Sequence, residues 1–187
     1  RQLQYMKYAA IIAIILSSSF GLYTWMNNPE SQMVAVTVKA GSKAEMALPD
    51  GTFVHLNAAT NLEYDVNNSK QRLVKLSGEA FFDVAKNPDC PFKVIINDLQ
   101  IEVVGTSFNV KTYKKDIVET SLLSGRIRIS GGSLPHEYTL SPGQKATYSA
   151  MDKTLRISKA DAHVEAGWRD NYLIFESTPL ILSLIHI

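Results

Sequence analysis

The strongest constraint on the fold is an alternation of apolar and polar residues with a period of two. It recurs in short runs of 4–7 residues rich in Val, Ile, Thr, Phe and Tyr, the pattern of strands with one buried face. Turn signals separate the runs, and no stretch before residue 160 keeps apolar residues at helical spacing. The pattern predicts an all-β domain of short antiparallel strands, sandwich-like or twisted solenoid-like. The predicted strands are Met33–Val38, Thr52–Asn57, Arg72–Ser77, Ala80–Ala85, Phe92–Ile96, Ile101–Val104, Phe108–Tyr113, Ile117–Leu122, Arg126–Ser130, Ala146–Ser149 and Leu155–Ser158.

A long uncharged run precedes this region. Tyr8–Met26 comprises 19 residues without a charge, and at ~1.5 Å per residue a helix of that length spans roughly 30 Å, the thickness of a bilayer's hydrocarbon core. Arg1 and Lys7 precede the run and the next charge is Glu30, so the positive-inside rule places the N-terminus in the cytoplasm. We predict a single N-terminal transmembrane helix. The alternatives are a cleaved signal peptide, disfavoured by bulky residues where cleavage would fall, and a buried helix of a soluble protein.

These features divide the chain into five predicted segments. Residues 1–7 end a cytoplasmic segment, 8–26 span the membrane, 27–32 form a linker, 33–176 form the β-domain, and 177–187 are the truncated start of a C-terminal domain. Within the tail, Asp161–Trp168 is predicted as a short helix or turn and Tyr172–Glu176 as a further strand, and Ser177–Pro179 is typical of a helix start.

Composition and charge exclude several classes of function. Lys and Arg number 19 against 18 Asp and Glu, a net charge of +1, which is too balanced for a dedicated nucleic-acid binder. The single cysteine excludes an internal disulfide framework and every cysteine-rich zinc site. We therefore predict no nucleic-acid partner, no metal and no cofactor.

No group of residues in the sequence forms a convincing catalytic site. Cys90 lies between two prolines in a loop, with no histidine nearby in sequence, and we interpret it as a spectator thiol. Glu79 and Asp83 could align on one face of a strand, but a solvated strand face is the favoured interpretation. We therefore predict that the protein is not an enzyme.

Six motifs follow one another in a fixed order along the chain. They are Leu48–Thr52 (LPDGT) followed by Val54, Leu56 and Asn57; Gly78–Val84 (GEAFFDV); Pro91–Val94 (PFKV); Val104–Val110 (VGTSFNV); Leu123–Gly125 (LSG); and Leu140–Gln144 (LSPGQ). Trp168 and Phe175 follow them. In sequence and order the motifs resemble the signature of the FecR family of membrane-anchored anti-sigma regulators.

The resemblance implies a signal relay across the inner membrane. Members of this family carry a cytoplasmic sigma-binding segment, one transmembrane helix and a periplasmic region. The implied partners are an extracytoplasmic-function (ECF) sigma factor and the signalling domain of a TonB-dependent outer-membrane transporter, as in iron transport systems. The expected location is the inner membrane, with the main domain in the periplasm.

The sequence also departs from the family pattern at both ends. We expect the sigma-binding segment to precede Arg1 and the usual C-terminal domain to follow Leu180, so that this chain holds the relay between two contact regions. The alternative is a periplasmic envelope- or carbohydrate-binding β-domain without transcriptional output.

The matched residues are expected to act structurally, through turns, local hydrogen bonds and core packing. Phe81 or Phe82, together with Phe92 and Phe108, is expected to fill the core. The sequence does not locate the partner-binding surface. The signature residues are Pro49, Asp50, Gly51, Asn57, Gly78, Glu79, Phe82, Pro91, Phe92, Gly105, Thr106, Phe108, Asn109, Gly125, Pro142, Gly143 and Trp168.

Overall fold

The computed structural model describes residues 12–23, 32–65, 72–114 and 116–170. Residues 12–23 form helix α1, and every side chain of α1 is exposed. Among the described residues, no helix is both long enough and apolar enough to cross a membrane. The predicted strand at Tyr172–Glu176, the predicted helix start after it, and both ends of the predicted membrane span lie outside the described residues.

The remainder of the described chain is built from strands, as predicted from the sequence. The strands are β1 (Met33–Val38), β2 (Ala44–Ala47), β3 (Phe53–Leu56), β4 (Thr60–Asp65), β5 (Arg72–Ser77), β6 (Glu79–Asp83), β7 (Phe92–Ile96), β8 (Leu99–Val103), β9 (Ser107–Lys111), β10 (Ile117–Ser124), β11 (Ile127–Gly131), β12 (Tyr138–Leu140), β13 (Gln144–Ser149) and β14 (Thr154–Lys159). A four-residue helix α2 (Ala162–Glu165) and a 3-10 helix (Gly167–Asp170) follow. They confirm the short helix or turn predicted at Asp161–Trp168.

The strands form two seven-stranded sheets, and within each sheet the strands lie side by side in the order in which they occur along the chain. The first sheet has the order β1-β4-β5-β7-β8-β11-β12, and the second, read from its other edge, has the order β2-β3-β6-β9-β10-β13-β14. The chain crosses from one sheet to the other and back, adding strands at one advancing end. Every pairing is antiparallel except that of β5 with β7, which are separated in sequence by β6 of the other sheet. The fold therefore has two layers like a sandwich and advances like a solenoid.

One hydrophobic core lies between the two sheets. Phe82 of the second sheet packs against Phe92 of the first, with ring centroids 5.9 Å apart, and stacks on Phe108 at 5.2 Å. At the advancing end, the Tyr148 hydroxyl donates to the Gly132 carbonyl oxygen across the sheets. Burial, aided by the charge of Asp98, raises the pKa of Tyr148, so the hydroxyl stays a neutral donor.

The sequence prediction missed three strands, each for a physical reason. β2 is AEMA, where small and polar residues hide the alternation. In β4, TNLEYD, mainly Leu62 shows the apolar pattern. β12 has only three residues. All three gain their stability from pairing with a neighbouring strand, which is a tertiary effect that local propensity does not record.

Gly78 gives a direct test of the β5–β6 crossing. Its φ is +115°, and a Cβ there would lie 2.5 Å from Thr60 Oγ1 and 2.7 Å from Thr60 Cα. We expect Gly78→Ala to lower the free energy of unfolding by about 2–4 kcal/mol, because strained backbone and overpacking both contribute. Urea denaturation of the purified chain measures the loss.

Gly41→Ala is the matched control for Gly78→Ala. Gly41 also has a positive φ, +78°, but a Cβ added to it would have no neighbouring atom within 4 Å. Only the conformational cost remains, about 1–2 kcal/mol. Equal losses for the two variants would show that the contact with Thr60 does not constrain this crossing.

Candidate functional site

Four buried residues lie on the outer face of the second sheet, opposite the core. Strand alternation turns Ala80 and Phe82 of β6 inward and therefore turns Glu79 and Phe81 outward. The outer residues are nevertheless buried: Phe81 is 2% exposed, Asn109 and Ser121 are each 3% exposed, and Glu79 is 4% exposed. An outer sheet face is buried only where another element covers it.

The covering element is the segment 161–170, which we call the C-terminal strap. Its α2 packs on β9 and β10. Further along, Arg169 Cζ lies 4.5 Å from the centroid of the Phe81 ring, and Lys43 Nζ donates to the Trp168 carbonyl oxygen at 2.5 Å. The strap therefore explains why these residues of the outer face are buried.

Beneath the strap lies a carboxylate held by amide donors, which we call the Glu79 cluster. Asn57 Nδ2 donates to Glu79 Oε2 at 2.8 Å, and Asn109 Nδ2 donates to Glu79 Oε1 at 3.0 Å. Trp168 Nε1 donates to Asn109 Oδ1 at 3.3 Å. This last bond fixes which end of the Asn109 amide faces Glu79. The strap is therefore joined through Asn109 to a buried charge.

The cluster corrects one prediction from the sequence. Glu79 and Asp83 are predicted on a solvated strand face, and for Glu79 this is wrong because the strap and two amides enclose its carboxylate. Asp83 does lie exposed, where it accepts a hydrogen bond from Ser107 Oγ at 2.8 Å. Phe81 likewise lies outside the core, whereas Phe82 lies within it.

The N-terminal half of the strap is anchored by charge. Lys145 Nζ lies 2.8 Å from Glu165 Oε1 and 3.4 Å from Glu119 Oε2. Burial disfavours the ammonium, but the hydrogen bond and charge of Glu165 and the charge of Glu119 outweigh it, so the pKa of Lys145 is raised above its ordinary value. Lys145 therefore remains charged throughout the neutral range.

A second polar cluster surrounds Arg72, whose side chain is buried. Its guanidinium donates to the carbonyl oxygens of Ala85, Asn87, Cys90 and Val104 at 2.6–3.4 Å. It also donates to Asp50 Oδ2 at 3.2 Å, and its Cζ lies 5.8 Å from the Phe92 ring centroid.

The sequence prediction missed Arg72, although a signal was present. In RLVKLS the arginine shares its strand face with Val74 and Leu76, both buried. A cation in register with core residues indicates a buried charge that requires several acceptors.

The structure divides the signature residues among several places rather than one site. Asn57, Glu79, Asn109 and Trp168 meet in the Glu79 cluster, beside Gly78. Asp50 meets Arg72, while Pro49 and Gly51 complete the same β2–β3 turn.

The other signature residues lie in the core or at turns. Phe82, Phe92 and Phe108 are core residues, and Pro91 precedes β7. Thr106 Oγ1 donates to the Arg126 carbonyl oxygen beside Gly105 and Gly125. Pro142 and Gly143 form the turn between β12 and β13.

Both polar clusters make their hydrogen bonds within the chain itself. In the described part of the chain, no group of three or more His, Cys, Asp or Glu residues is placed to hold a metal ion. Cys90 is half-buried, and its backbone carbonyl oxygen accepts a hydrogen bond from Arg72 Nε. His55 pairs with Glu45 at 3.3 Å on the outer face. Both clusters can fix the relative positions of chain segments, which is a mechanical role.

Asn109→Ala tests whether the Glu79 cluster holds the strap to the sheet. The substitution removes a donor from Glu79 Oε1 and the acceptor of the Trp168 indole N–H, leaving both groups poorly satisfied. We expect the free energy of unfolding to fall by about 1–3 kcal/mol. Urea denaturation is the measurement. Asn61→Ala removes a half-buried amide whose Oδ1 accepts a solvent-exposed hydrogen bond from Thr37 Oγ1, and it should change stability by less than about 0.5 kcal/mol. A similar small change for Asn109→Ala would contradict the role of the cluster.

Comparison with known proteins identifies the family. Residues 34–128 match the family model described as FecR protein. The fold is similar to that of two crystal structures from Parabacteroides distasonis ATCC 8503, each of a protein designated an anti-sigma factor. The structure at 2.50 Å resolution has a TM-score of 0.72 and 32% identity, covering 83% of this chain and 72% of that one. The structure at 1.65 Å has a TM-score of 0.71 and 33% identity, covering 82% and 72%. None of the curated proteins matches the sequence. The match over half of the chain, together with these two structures, shows that the protein belongs to the FecR family.

Proposed function

We propose that this chain is the relay portion of a non-enzymatic, membrane-anchored anti-sigma regulator. In this proposal it couples a TonB-dependent outer-membrane transporter to an ECF sigma factor. The observation that carries the proposal is the FecR match over residues 34–128, joined to the similarity at 32–33% identity to proteins designated anti-sigma factors. The sigma factor would bind a segment preceding this chain, and the transporter's signalling domain would be met on the periplasmic side.

Helix α1 supports anchoring in the inner membrane. It lies within the uncharged run of residues 8–26, and its apolar side chains are open on all sides: Ile14 is 66% exposed, Leu16 64% and Phe20 69%. Ser17–Ser19 interrupt the apolar residues, but α1 carries no charge, and a helix with so many exposed apolar side chains is stabilised where protein or lipid covers it. In the described residues no protein surface covers it, and a bilayer would.

The β-domain supports a relay rather than a catalyst. Its two sheets share one core, and its polar clusters bind backbone and side chains of the same chain. The edge strands β1, β12, β2 and β14 end the sheets. Strand addition to such an edge is a common way to recruit an extended partner.

A pair of reporter fusions tests the orientation. A reporter active only in the periplasm should be active when fused after Ser31 and inactive when fused before Tyr8, because the positive charges of Arg1 and Lys7 stay in the cytoplasm. Ile14→Arg should weaken insertion by about 2.5–3.5 kcal/mol, reducing the membrane-bound fraction on fractionation. Thr37→Arg, in the β-domain, is the matched control. The reverse fusion pattern would exclude the proposed orientation.

A transcript measurement tests the output. Deleting the gene in its host should change the transcripts of one ECF sigma regulon by at least about tenfold, and the full-length gene should restore them. The same gene carrying Ile14→Arg should not restore them, because the relay would lose its anchor. If no sigma regulon responds to the deletion, the anti-sigma proposal fails and a binding domain without transcriptional output becomes the better account.

A further inference from the structure

The C-terminal strap crosses the second sheet from its advancing edge back towards its first strand. It leaves β14, contacts β13 through Glu165 and Lys145, and lies over β10 and β9. Trp168 then reaches Asn109 of β9, and Arg169 reaches Phe81 of β6. The contacts therefore follow the order of the strands in the sheet, β13-β10-β9-β6.

The crossing ends at the connection between β1 and β2. Lys43 lies in that connection, donates to the Trp168 carbonyl oxygen at 2.5 Å, and has its Nζ 5.9 Å from the centroid of the Trp168 ring. β1 is the first strand after the chain's N-terminal helix. The strap thus places Trp168, close to the end of the described chain, next to the connection that follows the domain's first strand.

Side chains rather than strand pairing hold the strap in place. Backbone-to-backbone hydrogen bonds run locally within the strap from Val164 and Glu165 to Asp161 and from Arg169 to Ala166, whereas its contacts with the sheet named above involve side chains. Helices this short have little stability of their own. Segments held this way open at lower free energy than paired strands do.

The sheet surface that the strap covers is partly polar, so its exposure to water costs less than exposure of the core would. Release would expose the Phe81 ring, which is unfavourable, but would also return the Glu79 carboxylate to water, which is favourable. Because these two terms oppose each other, releasing the strap costs less than exposing a wholly apolar surface of the same area would.

We propose that the C-terminal strap is a releasable latch that couples the chain beyond residue 170 to the β1–β2 connection. When docked, it joins the two ends of the domain through Trp168 and Lys43. A partner that pulls on or binds the C-terminal continuation releases the strap and frees the β1–β2 connection. The latch is a property of this chain alone, so its failure would leave the anti-sigma role untouched.

Hydrogen exchange of the full chain, followed by mass spectrometry, tests the latch. Trp168→Ala removes the indole, which donates to Asn109 Oδ1 and has Lys43 Nζ 5.9 Å from its centroid, and keeps the backbone carbonyl to which Lys43 donates. We expect exchange of the amides of residues 162–170 to accelerate at least about tenfold, and exchange in residues 39–43 to rise with it. The amides of β7 and β8, in the other sheet, should keep their rates.

Two further variants make the result decisive. Arg169→Ala removes the guanidinium that lies over Phe81 but leaves the Trp168 indole in place, and it should accelerate the same two regions. Arg156→Ala removes an exposed arginine from β14 and should leave both regions unchanged. Unchanged exchange of the strap in Trp168→Ala and Arg169→Ala would overturn the latch. A rise confined to the strap would overturn its coupling to the β1–β2 connection, and an equal rise throughout both sheets would show a merely structural role.

Discussion

The buried guanidinium of Arg72 is the interaction on which the architecture most depends. A chain that moves repeatedly between two sheets must bring its connections past the sandwich edges, where their carbonyl groups lose water. Arg72 donates to three carbonyl oxygens of the β6–β7 connection and to one of the β8–β9 connection, and pairs with Asp50 in the β2–β3 turn. One side chain of the first sheet thus ties three connections, and bonds to a charged donor are stronger than neutral ones.

The Glu79 cluster uses the opposite chemistry on the other side of the second sheet. Here the buried charge is an anion, its donors are neutral amides, and one of the amides is oriented by a residue from the strap. Arg72 is surrounded by groups that belong to the sandwich itself. Glu79, by contrast, depends on the end of the described chain, so the two clusters differ in how far they can open without unfolding the sheets.

The sequence predicted most of the fold but little of this outer face. Period-two alternation identified the strands that carry the core, because burial of one face alone enforces that pattern. It could not show that the outer side of β6 and β9 is also covered, and it placed Glu79 on a solvated strand face. Nor could it show the sheet order, which depends on β2, β4 and β12, or the role of Arg72, whose acceptors come from three distant connections. The family motifs marked Glu79, Asn109 and Trp168 as related without showing that they touch.

The strands of this domain are held by backbone pairing and the strap by side-chain contacts, so the two parts resist movement differently. Moving one sheet against the other would break packing around Phe82, Phe92 and Phe108 and the bonds of Arg72 together. Moving the strap breaks contacts made by side chains such as Trp168, Arg169 and Glu165 and leaves the pairing of the strands in place. A force or a partner acting beyond residue 170 therefore meets the least resistance at the strap. The sandwich serves as the rigid body against which that movement takes place, and its β1–β2 connection is the part of it that the strap contacts last.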